Sequence, residues 1–252
     1  MSLKADKLFF MMFNEEIKVH NYSIPEDFSV SETGNIPAMN LEEVQRFLDE
    51  NPNVENEIRN LMKAAQEACR AGVTRVHILN GNKDGVLPCE IFSGLGSGTM
   101  IYTAGYGKVR PMEQTDIPSV LSIMRPFMES GKLLPRSEED LSAGLADYIV
   151  FELDGSVHAC ASLHFYEDGQ AEIAAVAVDE NYAHMGIGPK LMDNLIEQAT
   201  QANAASIFIM TTQTADWFEQ LGFEEDTIDT LPEERQKIWT PQRNSKLYRL
   251  KR

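Results

Sequence analysis

The sequence predicts an α/β protein in two parts, and three observations predict it. Hydrophobic runs of strand length alternate with stretches whose apolar residues recur at helical spacing. One run, Ala171 to Val178, is apolar almost throughout, as expected of a strand covered on both faces, and it leads through a glycine turn into a helix. A break at Thr103 to Gly107, where Gly105 and Gly107 flank Tyr106, separates this series from an N-terminal one. The expected domains are therefore residues 1–103 and 107–252.

The N-terminal part opens with a strand-like run, Lys7 to Phe13. A polar stretch containing Pro25, Gly34 and Pro37 precedes a helix from Leu41, with Asn40 placed to cap it. A second helix covers Glu55 to Ala71 and stops at Gly72. The β-branched run Val73 to Leu79 reads as a strand, and Asn80-Gly81 begins a turn and loop. Cys89 to Phe92 leads into a glycine cluster at Gly94, Gly96 and Gly98. In the second part a strand from Lys108 is followed by helices over Asp116–Ser130 and Glu138–Leu145 and a strand over Tyr148–Leu153. Asp154-Gly155 turns into Val157–Phe165 as a hairpin. Beyond the glycine turn, Leu191, Met192, Leu195, Ile196 and Ala199 keep helical spacing, and Ser206–Thr212 is a further strand.

Composition narrows the function classes. A net charge of −17, from 22 Lys+Arg and 39 Asp+Glu, argues against a nucleic-acid binder, which would present a basic face. The three cysteines, Cys69, Cys89 and Cys160, form no C-x-x-C pair, so neither a disulfide frame nor a metal site is expected. The most apolar N-terminal run, Leu8 to Phe13, is far too short to span a bilayer. No membrane association and a cytoplasmic location are expected. From Arg235 onward the chain carries Arg235, Lys237, Arg243, Lys246, Arg249, Lys251 and Arg252 without an acid. This basic tail reads either as a solvated end or as a cationic wall beside an anionic ligand.

The glycine turn is the most informative segment. A strand, a turn at Gly186-Ile187-Gly188 and a helix beginning near Pro189 place free N–H groups and the positive end of a helix dipole at one point, an anion site. Glycine lets a pyrophosphate approach the backbone. Gly188-Pro189-Lys190 lacks the Ser or Thr of a P-loop, and Leu191 stands where the dinucleotide fingerprint needs Gly or Ala. The third candidate is the signature [RQ]-x-x-G-x-[GA] of the GNAT acetyltransferases, which Ala183 to Gly188 resembles, preceded by the strand Val176-Ala177-Val178 and by Tyr182. The chain departs from it at Ala183, where the family carries Arg or Gln, and at Phe218, where many members carry a proton-donating tyrosine.

A narrower resemblance runs from about Val109 to the C-terminus. Thr211 to Phe218, Gly222-Phe223, Leu231-Pro232 and Arg243-Asn244-Ser245 resemble the acetyltransferase domain of bacterial N-acetylglutamate synthases, as do Arg125-Pro126, Gly131, Leu134 and Arg136-Ser137. Ahead of it, Val76 to Gly81, Glu90 to Phe92 and Gly96 to Ile101 are similar to about the last third of the amino-acid-kinase domain that precedes the acetyltransferase in that family. The resemblance implies a mixed central sheet flanked by helices, with a partial kinase-like α/β segment in front. It implies acetyl-CoA as cosubstrate, L-glutamate as acceptor, L-arginine as an inhibitor, a homo-oligomer and no metal.

It also implies roles. Glu172 matches the general base, and a carboxylate on an apolar strand should hold a proton more readily than one in water. The backbone near Val176 would hold the thioester oxygen, and Val178, Gly186, Ile187, Gly188 and Lys190 the rest of acetyl-CoA. Thr211 stands where relatives place a hydroxyl near the leaving thiolate. Arg136, Arg243 and Ser245 match the groups that hold the substrate carboxylates, for which the planar fork of arginine is apt. His77 and Glu90 match the arginine contacts of related kinases. Two rivals remain: a GNAT enzyme for another amine, or a non-catalytic module that binds acetyl-CoA.

Overall fold

The computed structural model describes residues 5, 7–13, 17–25, 28, 30–31, 34–54, 56–92, 98–103, 107–153 and 155–250, in two compact units, 1–106 and 107–252. The first unit holds a four-stranded sheet built from β1 (Lys7–Met12), β2 (Ala38–Asn40), β3 (Arg75–Asn80) and β4 (Thr99–Tyr102), in the order β1-β3-β4-β2. The helices α1 (Leu41–Glu50) and α2 (Asn56–Arg70) cover it. Asn40 accepts from the backbone of Glu42 and Glu43 while Glu43 answers back to the Asn40 N–H, a capping box that starts α1 where the strand ends. Val44, Phe47, Ile58 and Met62 bring the apolar stripes of both helices into one core with Met39, Val76 and Ile101.

Sequence reading expects a loop after Asn80, but residues Val86–Phe92 form a helix, α3. Pro88 lies in its first turn, where a missing N–H costs little, so a residue that suggests a break here suits the helix. Gly94, Gly96 and the Gly105 break lie outside the described residues. Gly98 is described: a Cβ there would collide with the Ile78 carbonyl and the Leu79 side chain, so only glycine fits beside β3.

The second unit is a seven-stranded mixed sheet. Its elements are β5 (Lys108–Pro111), α4 (Ile117–Glu129), α5 (Glu138–Ala143), β6 (Tyr148–Leu153), β7 (Ser156–Phe165), β8 (Gln170–Val178), α6 (Ile187–Gln201), β9 (Ser206–Thr211), α7 (Ala215–Gln220), β10 (Phe223–Asp226), α8 (Glu233–Ile238) and β11 (Lys246–Leu250). The strand order is β10-β11-β9-β8-β7-β6-β5, and only β8 and β9 run parallel. Parallel neighbours need a crossover, and α6 supplies it. Ile117, Val120 and Met124 of α4 pack on Val150 and Cys160, one face of the sheet. Lys190 of α6 lies over the ring of Phe151, which alternation puts on the opposite face.

The basic tail meets neither expectation in full. Lys246–Leu250 is an inner strand, hydrogen-bonded to β9 on one side and β10 on the other. Its cations are matched within the sheet: Lys246 pairs with Glu225, and Arg249 Nε donates to Asp226 at 2.6 Å. The remaining donors of Arg249 reach Gln170, Ser206 and Thr230. Arg249 is therefore structural and Lys246 a solvated partner of Glu225, while Lys251 and Arg252 lie outside the described residues.

Candidate active site

The site begins with a fault in β8. On the β7 side, Cys160 pairs with Ala177 and Ser162 with Ala174, so Ala175 and Val176 bulge out of register. Ala175 has φ 54°, a left-handed conformation that a residue with a Cβ rarely takes, and the Ala174 carbonyl is held at 3.1 Å by the Ser162 hydroxyl. On the β9 side, pairing stops at Ile173, opposite Ile209. Beyond that point β8 and β9 diverge. A notch opens whose wall is the backbone from Ala174 to Val178, with Val176 at its bend.

At the far end of the notch is the glycine turn. Gly186 has φ 63° and ψ 29°, and a Cβ there would meet nothing within 4 Å, so the space in front of it is open. The helix α6 starts at Ile187, and its first N–H groups point back toward that space. Gly188 is glycine for a second reason: a Cβ would meet the Trp217 ring at 3.1 Å. An open left-handed turn on a helix N-terminus, following a strand that is unpaired on its β9 side beyond Ile173, fits a phosphorylated thioester. Ala183 lies on the exposed surface of the short 3-10 turn before it.

On the same divergence lies a cavity of about 100 Å³ lined by Arg136, Glu172, Arg235, Trp239, Arg243 and Ser245, among others. Four of the site residues read from the sequence thus share one wall. Glu172 is buried, 5% exposed, in the middle of the sheet. It does not stand alone on an apolar strand as expected. Its Oε2 accepts from Tyr166 Oη at 2.6 Å and from Arg235 Nε at 2.9 Å. Burial first, then the carboxylate beside it, push the Tyr166 phenol well above its ordinary range, so it stays a donor. Arg243 donates through Nη2 to the Lys132 carbonyl at 3.1 Å. Burial, then the charges of Arg235 and Arg136, pull its guanidinium below the usual arginine range. Arg136 lies over the Tyr148 ring, and its Nε is buried with no hydrogen-bond partner among the described residues, as is Trp239 Nε1.

Thr211 ends β9 and is buried. Its hydroxyl accepts the backbone N–H of Thr214 at 3.1 Å and lies 2.7 Å from the Thr214 hydroxyl, so one proton of that pair is available to a third group. Phe218 packs its ring against Trp217 and Phe223 in the core and has no proton to give. A second constellation joins Ser162, His164 and Asp147 by bonds of 3.2 and 2.8 Å. Ser162 is fully buried and no reactant can reach it; this cluster braces the bulge.

In the first unit, His77 Nδ1 and Glu90 Oε1 are 2.5 Å apart, and Phe9 stacks on the imidazole. The two residues matched to an arginine contact are thus brought together and engage each other.

Arg235, Tyr166 and Trp239 were not singled out in the sequence as site residues. The only signal was the acid-free charge run that begins at Arg235; nothing marked Tyr166, six residues from Glu172 on the preceding strand end.

A bulged strand diverging from a parallel neighbour, with a glycine turn and helix at its end, is the frame of an acyl-CoA transferase, and residues 117–223 match the Acetyltransferase (GNAT) family. That match lies within the second unit. The chain is 39% identical to the amino-acid acetyltransferase of Aliivibrio fischeri over 75% of its own length and 43% of that relative's. Two solved structures of N-acetylglutamate synthase from Neisseria gonorrhoeae are similar to nearly the whole chain. One, complexed with coenzyme A and N-acetyl-glutamate, is 32% identical with a TM-score of 0.58, covering 99% of this chain and 57% of that one. The other, complexed with coenzyme A and L-arginine, is 31% identical with a TM-score of 0.66, covering 98% and 54%. The chain spans less than half the length of the curated relative quoted above. Among the described residues no group of His, Cys, Asp and Glu could hold a metal, and no helix is long and apolar enough to cross a membrane.

Proposed function

We propose that the chain transfers the acetyl group of acetyl-CoA to the α-amino group of L-glutamate. The observation that carries the reading is the cavity in which three arginines surround one buried carboxylate beside the diverging strand. An acceptor with two carboxylates meets Arg136 and Arg243 through charge-assisted forks, and the Ser245 hydroxyl adds a donor. A cationic acceptor such as a polyamine would meet like charge there.

In the reaction, the neutral amine attacks the thioester carbon, the C–N bond forms and the C–S bond breaks. The amine proton passes to Glu172, and the thiolate takes a proton from the hydroxyl of Thr211 or from water. An α-amino group with an unperturbed pKa of roughly 8 is largely protonated near neutrality, which is why a base is needed. The Val176 N–H, released from pairing by the bulge, would receive the oxyanion. Gly186, Ile187, Gly188 and Lys190 would hold the phosphates, and Val178 the chain that joins them to the thioester.

The similar synthase complexed with coenzyme A and L-arginine supports L-arginine as an effector of this chain, with His77 and Glu90 as the residues that would contact it. A thiol-release assay with acetyl-CoA and a panel of free amino acids tests the acceptor. Glutamate should stand well above glutamine, aspartate and the neutral amino acids; equal rates with glutamine would refute the assignment.

A further inference from the structure

The inference drawn here rests on the glutamate acceptor proposed above. Glu172 must take a proton, yet its charge is already engaged in a buried ion pair. Oε2 accepts from Tyr166 and Arg235, and Arg235 Nε lies 3.1 Å from Oε1 as well. Both side chains of the ion pair are almost fully buried, at 12% and 6% exposure, so water does not loosen it. In this state the base is guarded.

The other cations of the cavity are placed differently. The hydrogen bond that Arg243 makes goes to a backbone carbonyl, and Arg136 Nε and Trp239 Nε1 are buried donors lacking an acceptor among the described residues. The ionisable groups lining the cavity are Lys132, Arg136, Arg235 and Arg243 against Glu172 alone. The cavity has more donors and more positive charge than its own acid can satisfy. An incoming ligand with two carboxylates supplies the missing acceptors, and it competes with Glu172 for the guanidinium it holds.

We propose that Arg235 is a positioning residue that couples recognition of the acceptor's second carboxylate to release of the base. When that carboxylate binds, Arg235 turns to it, and Glu172 loses the positive charge that opposes its protonation while Tyr166 keeps the carboxylate oriented. An amino acid without a second carboxylate can bind through its α-carboxylate but leaves Arg235 on Glu172, and its ammonium proton has no acceptor. Selectivity then appears in kcat and not only in KM, because the wrong substrate binds to a guarded base.

The test compares kcat for glutamate and glutamine in the parent, in Arg235→Gln and in Arg235→Lys, with acetyl-CoA affinity and melting temperature as checks of the fold. Arg235→Gln removes the charge that the second carboxylate would attract. The glutamate-to-glutamine ratio of kcat should fall by about 10-fold or more, the scale of one charge-assisted hydrogen bond, with glutamine falling less than glutamate or rising. Arg235→Lys should restore part of the ratio, and it carries the comparison if the glutamine variant does not fold. A ratio of kcat that stays at the parent value in a folded variant, with both substrates slowed alike or only KM altered, would overturn the coupling. A parent that acetylates no free amino acid overturns the acceptor assignment, and this inference with it.

Discussion

Arg243 offers the cleanest separation of binding from folding. Among the described residues its guanidinium makes one hydrogen bond, 3.1 Å to the Lys132 carbonyl, and burial, with Arg235 and Arg136 nearby, depresses its proton affinity. Replacing it with alanine loses a partly exposed hydrogen bond, worth about 0.5–1.5 kcal/mol net, but also relieves repulsion among like charges. The two effects oppose each other, so stability should change by less than about 1 kcal/mol, a melting shift of roughly 2–4 °C for a domain of this size. The ligand side has no such compensation. Losing a charge-assisted fork to a carboxylate costs about 1.5–3 kcal/mol, a rise of roughly 10- to 150-fold in KM for glutamate. Steady-state kinetics by thiol release should show that rise, calorimetry should show acetyl-CoA affinity unchanged, and Arg243→Lys should recover only part. Glutamine, with no charge on its side chain, should lose less. A KM for glutamate within about 3-fold of the parent would refute the assignment of Arg243 to the acceptor, since even the weaker end of the range exceeds it.

Two further outcomes follow from the site. Glu172→Gln keeps the shape and a contact for Tyr166 but cannot take a proton, so turnover should fall by about 100-fold and recover in part at high pH, where the amine loses its proton unaided; parent-level turnover at neutral pH would reduce Glu172 to a sheet residue. Gly188→Glu places bulk against Trp217 and negative charge on the helix N-terminus, so calorimetry should show acetyl-CoA binding abolished, and retained affinity in a folded variant would remove the glycine turn from the cofactor site.

What was legible in the sequence is what local pattern controls. The run from Ala171 through Ala199 could be read as strand, glycine turn and helix because an unbroken apolar strand, a left-handed glycine and a 3.6-residue period are each local signals, and the structure has β8, the Gly186 turn and α6 there. The capping of α1 by Asn40 was legible for the same reason. What was missed depends on partners far along the chain. The strand β11 reads Lys246, Leu247, Tyr248, Arg249 and Leu250, and its charges look like those of a free end until Glu225 and Asp226 of the neighbouring strand reach them diagonally. The helix α8 has no apolar stripe of its own: Glu233-Glu234-Arg235-Gln236-Lys237 gives no period to read, and none of its residues is fully buried. The engagement of Glu172 by Arg235 spans 63 residues, a distance over which composition says nothing about geometry.

That long-range engagement also separates two populations of arginine that look alike in the sequence. Arg249 is answered by Asp226, Gln170, Ser206 and Thr230, and Arg110 by Asp116 and Glu152 at 2.6 and 2.5 Å. Each has its acceptors within the fold, and the Asp116 carboxyl is held below the ordinary range chiefly by its bond to Arg110. In the cavity Arg136, Arg235 and Arg243 share one lining acid, Glu172, with Asp140 near Arg136 outside it. A chain with 39 acidic residues could have placed a second carboxylate in that cavity, and the like charges gathered there oppose folding to some degree. Such an imbalance fits a cavity that a ligand completes with negative charge. A glutamate supplies two carboxylates to a lining whose cations outnumber its one acid, whereas a neutral amino acid supplies one and a polyamine adds positive charge, so the electrostatics of the cavity favour the acceptor proposed above.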